Sequence, residues 1–163
     1  MSQITETPQP QGSAEVRIDI LRAFGADLDT ATQENLVFVN KGLCYPVGKH
    51  IAIRDIFSGE DSHRNDLMFI YLEDDVTKIN CLNVSKDNYL LLVATESKSK
   101  CEINIYNLSK LTFTSLMLFQ PKRKVITSKF KRFLYCSYSN DGNCIACVAE
   151  GKDDKIYGVV YDV

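Results

Sequence analysis

Tryptophan is absent from this 163-residue chain, proline occurs four times, glycine eight times and histidine twice. So little proline and glycine excludes collagen-like and low-complexity chains. His50 and His63 have no ligand-like spacing, which leaves no histidine cluster for a metal. No apolar run approaches the roughly 18 residues that a membrane-spanning helix needs. The opening residues carry no basic segment followed by an apolar core, so neither a secretory nor a transit peptide is expected, and the reading is a soluble, intracellular protein. An excess of one charge is missing too: 19 Lys and Arg face 21 Asp and Glu, a net charge of -2, and no global basic field calls for nucleic acid. The G-x-S-x-G elbow, HExxH and GxGxxG are all missing. The expectation is a protein that is not an enzyme and holds no cofactor or metal.

What is present points to β structure. At 45% apolar and 25% charged, the composition is close to that of an average globular protein, rich in Val, Ile, Tyr and Phe, and the length suits one domain or one slice of a larger one. Residues 1–15 are polar, with Pro8, Pro10 and Gly12, and read as a disordered tail; residues 16–163 read as the folded part. Alternating patterns and short apolar runs between polar turns give twelve strand candidates: 16–20, 35–40, 42–47, 49–56, 66–72, 76–84, 89–95, 101–108, 112–119, 131–138, 143–149 and 155–162. Residues 23–34 offer at most one helical turn, because their apolar positions are too sparse for a stripe.

The chain also echoes itself. Ser85-Lys86-Asp87-Asn88-Tyr89-Leu90-Leu91 matches Ser139-Asn140-Asp141-Gly142-Asn143-Cys144-Ile145 at a shift of 54 residues. Ile105-Tyr106-Asn107-Leu108 matches Val160-Tyr161-Asp162-Val163 at 55, and Ile53-Arg54-Asp55-Ile56 falls in step 52 residues upstream. A Ser-x-Asp turn lets side-chain oxygens bond nearby N–H groups and fix a tight hairpin. The run 89–95 is apolar on both faces, as a strand between two neighbouring sheets must be. Three four-stranded antiparallel modules are expected, at about 32–73, 76–119 and 130–163, the third incomplete.

These turns, buried runs and closing aromatic-plus-Asp or Asn pairs resemble WD-repeat β-propeller blades, although Arg54-Asp55, Tyr106-Asn107 and Tyr161-Asp162 stand where Trp-Asp is usual. Phe24-Gly25, Leu36-Val37-Phe38, Tyr45-Pro46-Val47-Gly48-Lys49-His50 and the unit 82–108 are similar to the opening of the cilia- and flagella-associated WD-repeat proteins. The resemblance implies an all-β partial propeller that does not close on itself and acts as a non-catalytic interaction scaffold in the ciliary axoneme. It implies axonemal partners, among them tubulin and dynein-associated complexes, with neither nucleic acid nor membrane, and either further blades or a partner over the open sheet edges. Two other functions fit the same turns: the regulatory propeller of a prolyl-oligopeptidase-like hydrolase, and a WD-type adaptor in a cytoplasmic complex.

Candidate sites are few. Lys122, Arg123, Lys124, Lys129, Lys131 and Arg132 put six cations into a short stretch between the second and third modules. They read either as a docking strip for an acidic surface or as a solvated loop balancing Glu73-Asp74-Asp75. Six cysteines are expected to be reduced; Cys144 and Cys147 form a CxxC on a strand, where positions three apart face opposite sides. Residues 42–50 glance at a phosphate-binding loop, but five residues separate Gly42 from Gly48 and His50 replaces its hydroxyl residue, so a Gly-Lys hairpin turn is expected. Glu73-Asp74-Asp75 and Asp153-Asp154 read as loop charges.

Overall fold

A computed structural model describes residues 35–40, 42–56, 67–110 and 119–163. Among these residues the chain is all-β, with eleven strands and no helix. The first sheet consists of β1 (Val37–Val39), β2 (Gly42–Val47), β3 (His50–Arg54) and β4 (Leu67–Tyr71). The second consists of β5 (Val76–Val84), β6 (Leu90–Ser97), β7 (Cys101–Asn107) and β8 (Arg123–Thr127). The third has β9 (Phe130–Tyr138), β10 (Cys144–Gly151) and β11 (Ile156–Asp162). Each is an antiparallel meander in chain order, and none closes on itself.

One strand was not legible as such. Residues 123–127 belong to the basic stretch expected as a loop, yet they pair with β7, Ile103 opposite Val125 and Asn104 opposite Lys124. Val125 supplies the inward side chain, packed against the core shared with the third sheet. Lysine and arginine stems suit an edge strand, whose outer N–H groups face solvent and whose charges discourage further pairing. The second sheet therefore runs past the boundary expected at 119. The expected strand at 16–20, all but Phe119 of the one expected at 112–119, the tail 1–15 and the helical turn in 23–34 lie outside the described residues, and Phe119 is not in a strand.

The two copies of the Ser-x-Asp turn are built alike. The Ser85 hydroxyl donates to Asp87 Oδ1, while Ser85 Oγ accepts the Leu90 N–H at 2.9 Å and Asp87 Oδ1 accepts the Tyr89 N–H at 3.1 Å. Ser139 and Asp141 repeat this, accepting the N–H groups of Cys144 at 3.0 Å and Asn143 at 3.1 Å. The left-handed position is filled by Asn88 (φ 61°) and Gly142 (φ 73°), residue types that tolerate it. The far ends match as well: Leu108 N–H donates to the Tyr89 carbonyl at 2.7 Å and Val163 N–H to that of Asn143 at 2.8 Å.

Packing follows strand parity. On β6, Leu91 and Val93 enter a core shared with Ile51, Ile53 and Ile70 of the first sheet. Their neighbours Leu92 and Ala94 enter a second core with Phe133, Ile145 and Ala149 of the third. The central strand β6 is thus apolar on both faces because the sheet is covered on both, and burial of Leu91, Leu92 and Ile103 stabilises that sheet by about 1.5–3 kcal/mol each. The first strands meet along one side, β5 touching both β1 and β9.

Candidate functional site

The linker between the first two sheets carries Glu73 and Asp75, and the second sheet holds it by charge. Glu102 on β7, 3% exposed, faces the Lys100 ammonium at 2.6 Å and the Lys124 ammonium at 2.9 Å, as ion pairs rather than well-aligned hydrogen bonds. Lys100 also reaches Glu73 at 3.3 Å and Asp75 at 3.4 Å, and Lys124 pairs with Glu73. Lys124 and Lys100 hold the Glu73 carboxyl below the usual carboxylate range, and Glu102 foremost raises Lys100 above the usual lysine value. A buried carboxylate survives here because two ammonium groups share it.

A second network lies on the third sheet. Glu150 on β10 accepts Lys131 Nζ at 2.8 Å and Arg132 Nε at 2.6 Å, and Lys131 reaches Asp154 at 3.3 Å. The two cations lower the Glu150 pKa. The six-cation stretch is therefore divided. Lys124, Lys131 and Arg132 are engaged by the chain's own carboxylates, while Lys122, Arg123 and Lys129 are exposed and make no ion pair among the described residues.

Between the second and third sheets these turns enclose a half-open cleft of about 400 Å³. Residues 96–100 form one wall; residues 130–132 and Lys152 form the other. The lining carries five cations, Lys98, Lys100, Lys131, Arg132 and Lys152, against the single carboxylate of Glu96. Phe130 lies half-buried between them, its ring 5.8 Å from Tyr157 and 6.1 Å from Phe133. Sequence reasoning found two of the five cations; Lys98 and Lys100 lie in one hairpin turn and Lys152 in another, and neither turn carries enough charge to stand out locally.

The remaining candidates resolve as parity and turn chemistry dictate. Cys147 points into the core beside Cys136 and Cys81, whereas Cys144 lies on the opposite face near Asp162, its Sγ 3.7 Å from the carboxylate. The neighbouring Cys147 and Cys81 thiols, together with burial, hold the Cys136 thiol well above the usual thiol range; burial pushes Cys101 up to about 11. Gly48-Lys49 is a two-residue hairpin between β2 and β3, with Val47 opposite His50 and Gly48 at φ 57°. Asp153 accepts the Tyr157 hydroxyl at 2.8 Å, and Asp154 turns the chain at φ 57°. His63 lies outside the described residues.

Comparison of the chain with models of known protein families finds no match, and comparison with curated proteins finds none either.

Proposed function

We propose that this chain is part of a WD-repeat-like β-propeller serving as a non-catalytic protein-interaction scaffold, and that its setting is the ciliary axoneme. One observation carries the propeller reading. Cys81, Leu92, Ala94 and Ile105 form the face of the second sheet on which the third is seated. Advanced by the repeat, these positions become Tyr135, Ala146, Val148 and Val160 on the third sheet, and all four are exposed, Val160 at 67%. A face built to seat a sheet is open, and among the described residues no strand pairs with the outer edge of β11. An apolar face of this kind calls for a further sheet of the same type. The meander order and the contacts of β5 with both β1 and β9 support the same reading, since radially arranged sheets each place their own first strand innermost, next to those of their neighbours. The axonemal setting rests on the resemblance of residues 21–163 to the ciliary WD-repeat proteins.

The test is binding of the tagged chain to salt-washed axonemes. The wild type should pellet with them, and Val148→Asp with Val160→Asp should release it while leaving the melting curve unchanged. A wild type that stays in the supernatant, or a double variant that pellets as well, refutes the reading.

A further inference from the structure

We infer that the cleft between the second and third sheets is a receptor site for an acidic peptide, an extended run of glutamate or aspartate whose carboxylates reach cations on both walls. Charge on both walls is the first support. Lys98 and Lys100 stand on one side, and Lys131, Arg132 and Lys152 on the other. In an extended chain successive side chains point to opposite sides, so consecutive acidic residues deliver carboxylates to both walls at once.

Unused binding capacity is the second support. Lys98 and Lys152 are exposed at the cleft and form no ion pair among the described residues. Arg132 holds Glu150 through Nε alone, which leaves the outer edge of its guanidinium to a ligand. Three of the cleft cations already take carboxylates: Lys100 pairs with Glu102, and Lys131 and Arg132 share Glu150.

Carboxylates fit better than a phosphate because the cations cannot gather. Lys100 is held back by Glu73, Asp75 and Glu102, and Lys131 by Glu150 and Asp154. A single phosphate needs several donors at one point, whereas these are fixed along two walls. Phe130, steadied by Tyr157 and Phe133, offers a flat apolar surface to the methylene groups of glutamate. At about 400 Å³ and half open, the cleft is within the size range of ligand sites and admits a chain passing through.

This inference gives the scaffold reading a ligand class, and its test uses the purified chain without axonemes, so either can fail alone. Fluorescence anisotropy would follow a labelled peptide carrying six consecutive glutamates. Saturable binding should weaken with added salt, and Lys98→Glu with Lys152→Glu should weaken it on the order of tenfold or more. Lys122→Glu with Arg123→Glu, exposed cations outside the cleft, should change it by less than about twofold. Lys98→Gln with Lys152→Gln keeps the test available if charge reversal disturbs the fold. Equal affinity of the cleft variants and the wild type overturns the inference. So does equal binding of a six-glutamine peptide, or tighter binding of a phosphoserine peptide or a single-stranded oligonucleotide.

Discussion

Leu91 and Leu92 are neighbours in sequence, both 0% exposed, and they face opposite ways. Leu91 packs with Ile51, Ile53 and Ile70 of the first sheet; Leu92 packs with Phe133, Ile145 and Ala149 of the third. Truncating a buried leucine to alanine removes its transfer free energy and leaves a cavity, about 2–5 kcal/mol together. Leu91→Ala and Leu92→Ala should therefore each cost about 2–5 kcal/mol. For a chain of this size each kcal/mol moves the melting temperature by about 2–4 °C, so falls on the order of 10 °C are expected. In a two-layered sandwich one of two successive strand residues faces solvent, and its truncation costs within about 0.5 kcal/mol. Val160→Ala, on the open face of the third sheet, is the internal control and should cost that little. With no tryptophan in the chain, far-ultraviolet circular dichroism under heat and urea is the natural probe. A loss below about 1 kcal/mol at either leucine would refute the three-sheet stack, because a covered leucine cannot be removed so cheaply.

Two further outcomes concern the turns and the thiols. The Ser85 hydroxyl with the Tyr89 N–H, and Ser139 with the Asn143 amides, depress the pKa values of Asp87 and Asp141. A carboxyl depressed in the folded state contributes stability fully above its unfolded pKa and loses it as pH falls through the folded value. The urea midpoint should accordingly drop from the ordinary carboxylate range downward, and Asp87→Asn with Asp141→Asn should lower it at neutral pH and flatten the acid limb; an unchanged acid limb would count against the turns. For the thiols, maleimide at neutral pH should label the native chain once, at Cys144, because the other five are buried. Burial and the Asp162 carboxylate raise the Cys144 pKa, so labelling should be slow and quicken with pH, and Cys144→Ser should abolish it. More than one thiol labelled before unfolding would contradict the burial.

Legibility followed the reach of each signal. The strands of the second and third sheets that alternate or run apolar, such as 76–84 and 131–138, were legible because a pleat writes its period into the sequence. The Ser-x-Asp turns were legible because serine and aspartate have a local hydrogen-bonding job there. β8 was not, since Arg123 and Lys124 mimic a loop, and only its pairing with Ile103 and Asn104 makes it a strand. An edge strand is selected by its neighbour more than by its own composition.

Charge behaves differently from hydrophobicity in this respect. The run of cations at 122–132 was conspicuous in sequence, yet folding sends Lys124 to Glu102 on the linker side of the second sheet and Lys131 to Glu150 on the third. Their nearness along the chain does not survive, because successive strand residues diverge and β8 and β9 belong to different sheets. The opposite holds for Lys98 and Lys152, 54 residues apart in sequence and yet on facing walls of one cleft. That separation is the shift of the Ser-x-Asp turns. A repeat that stacks equivalent sheets also stacks equivalent turns, so lysines at matching positions of two copies come together however far apart they are read. In a repeating chain, then, the charges that can act jointly are those in register with the repeat, and a local cluster is a poor guide to them.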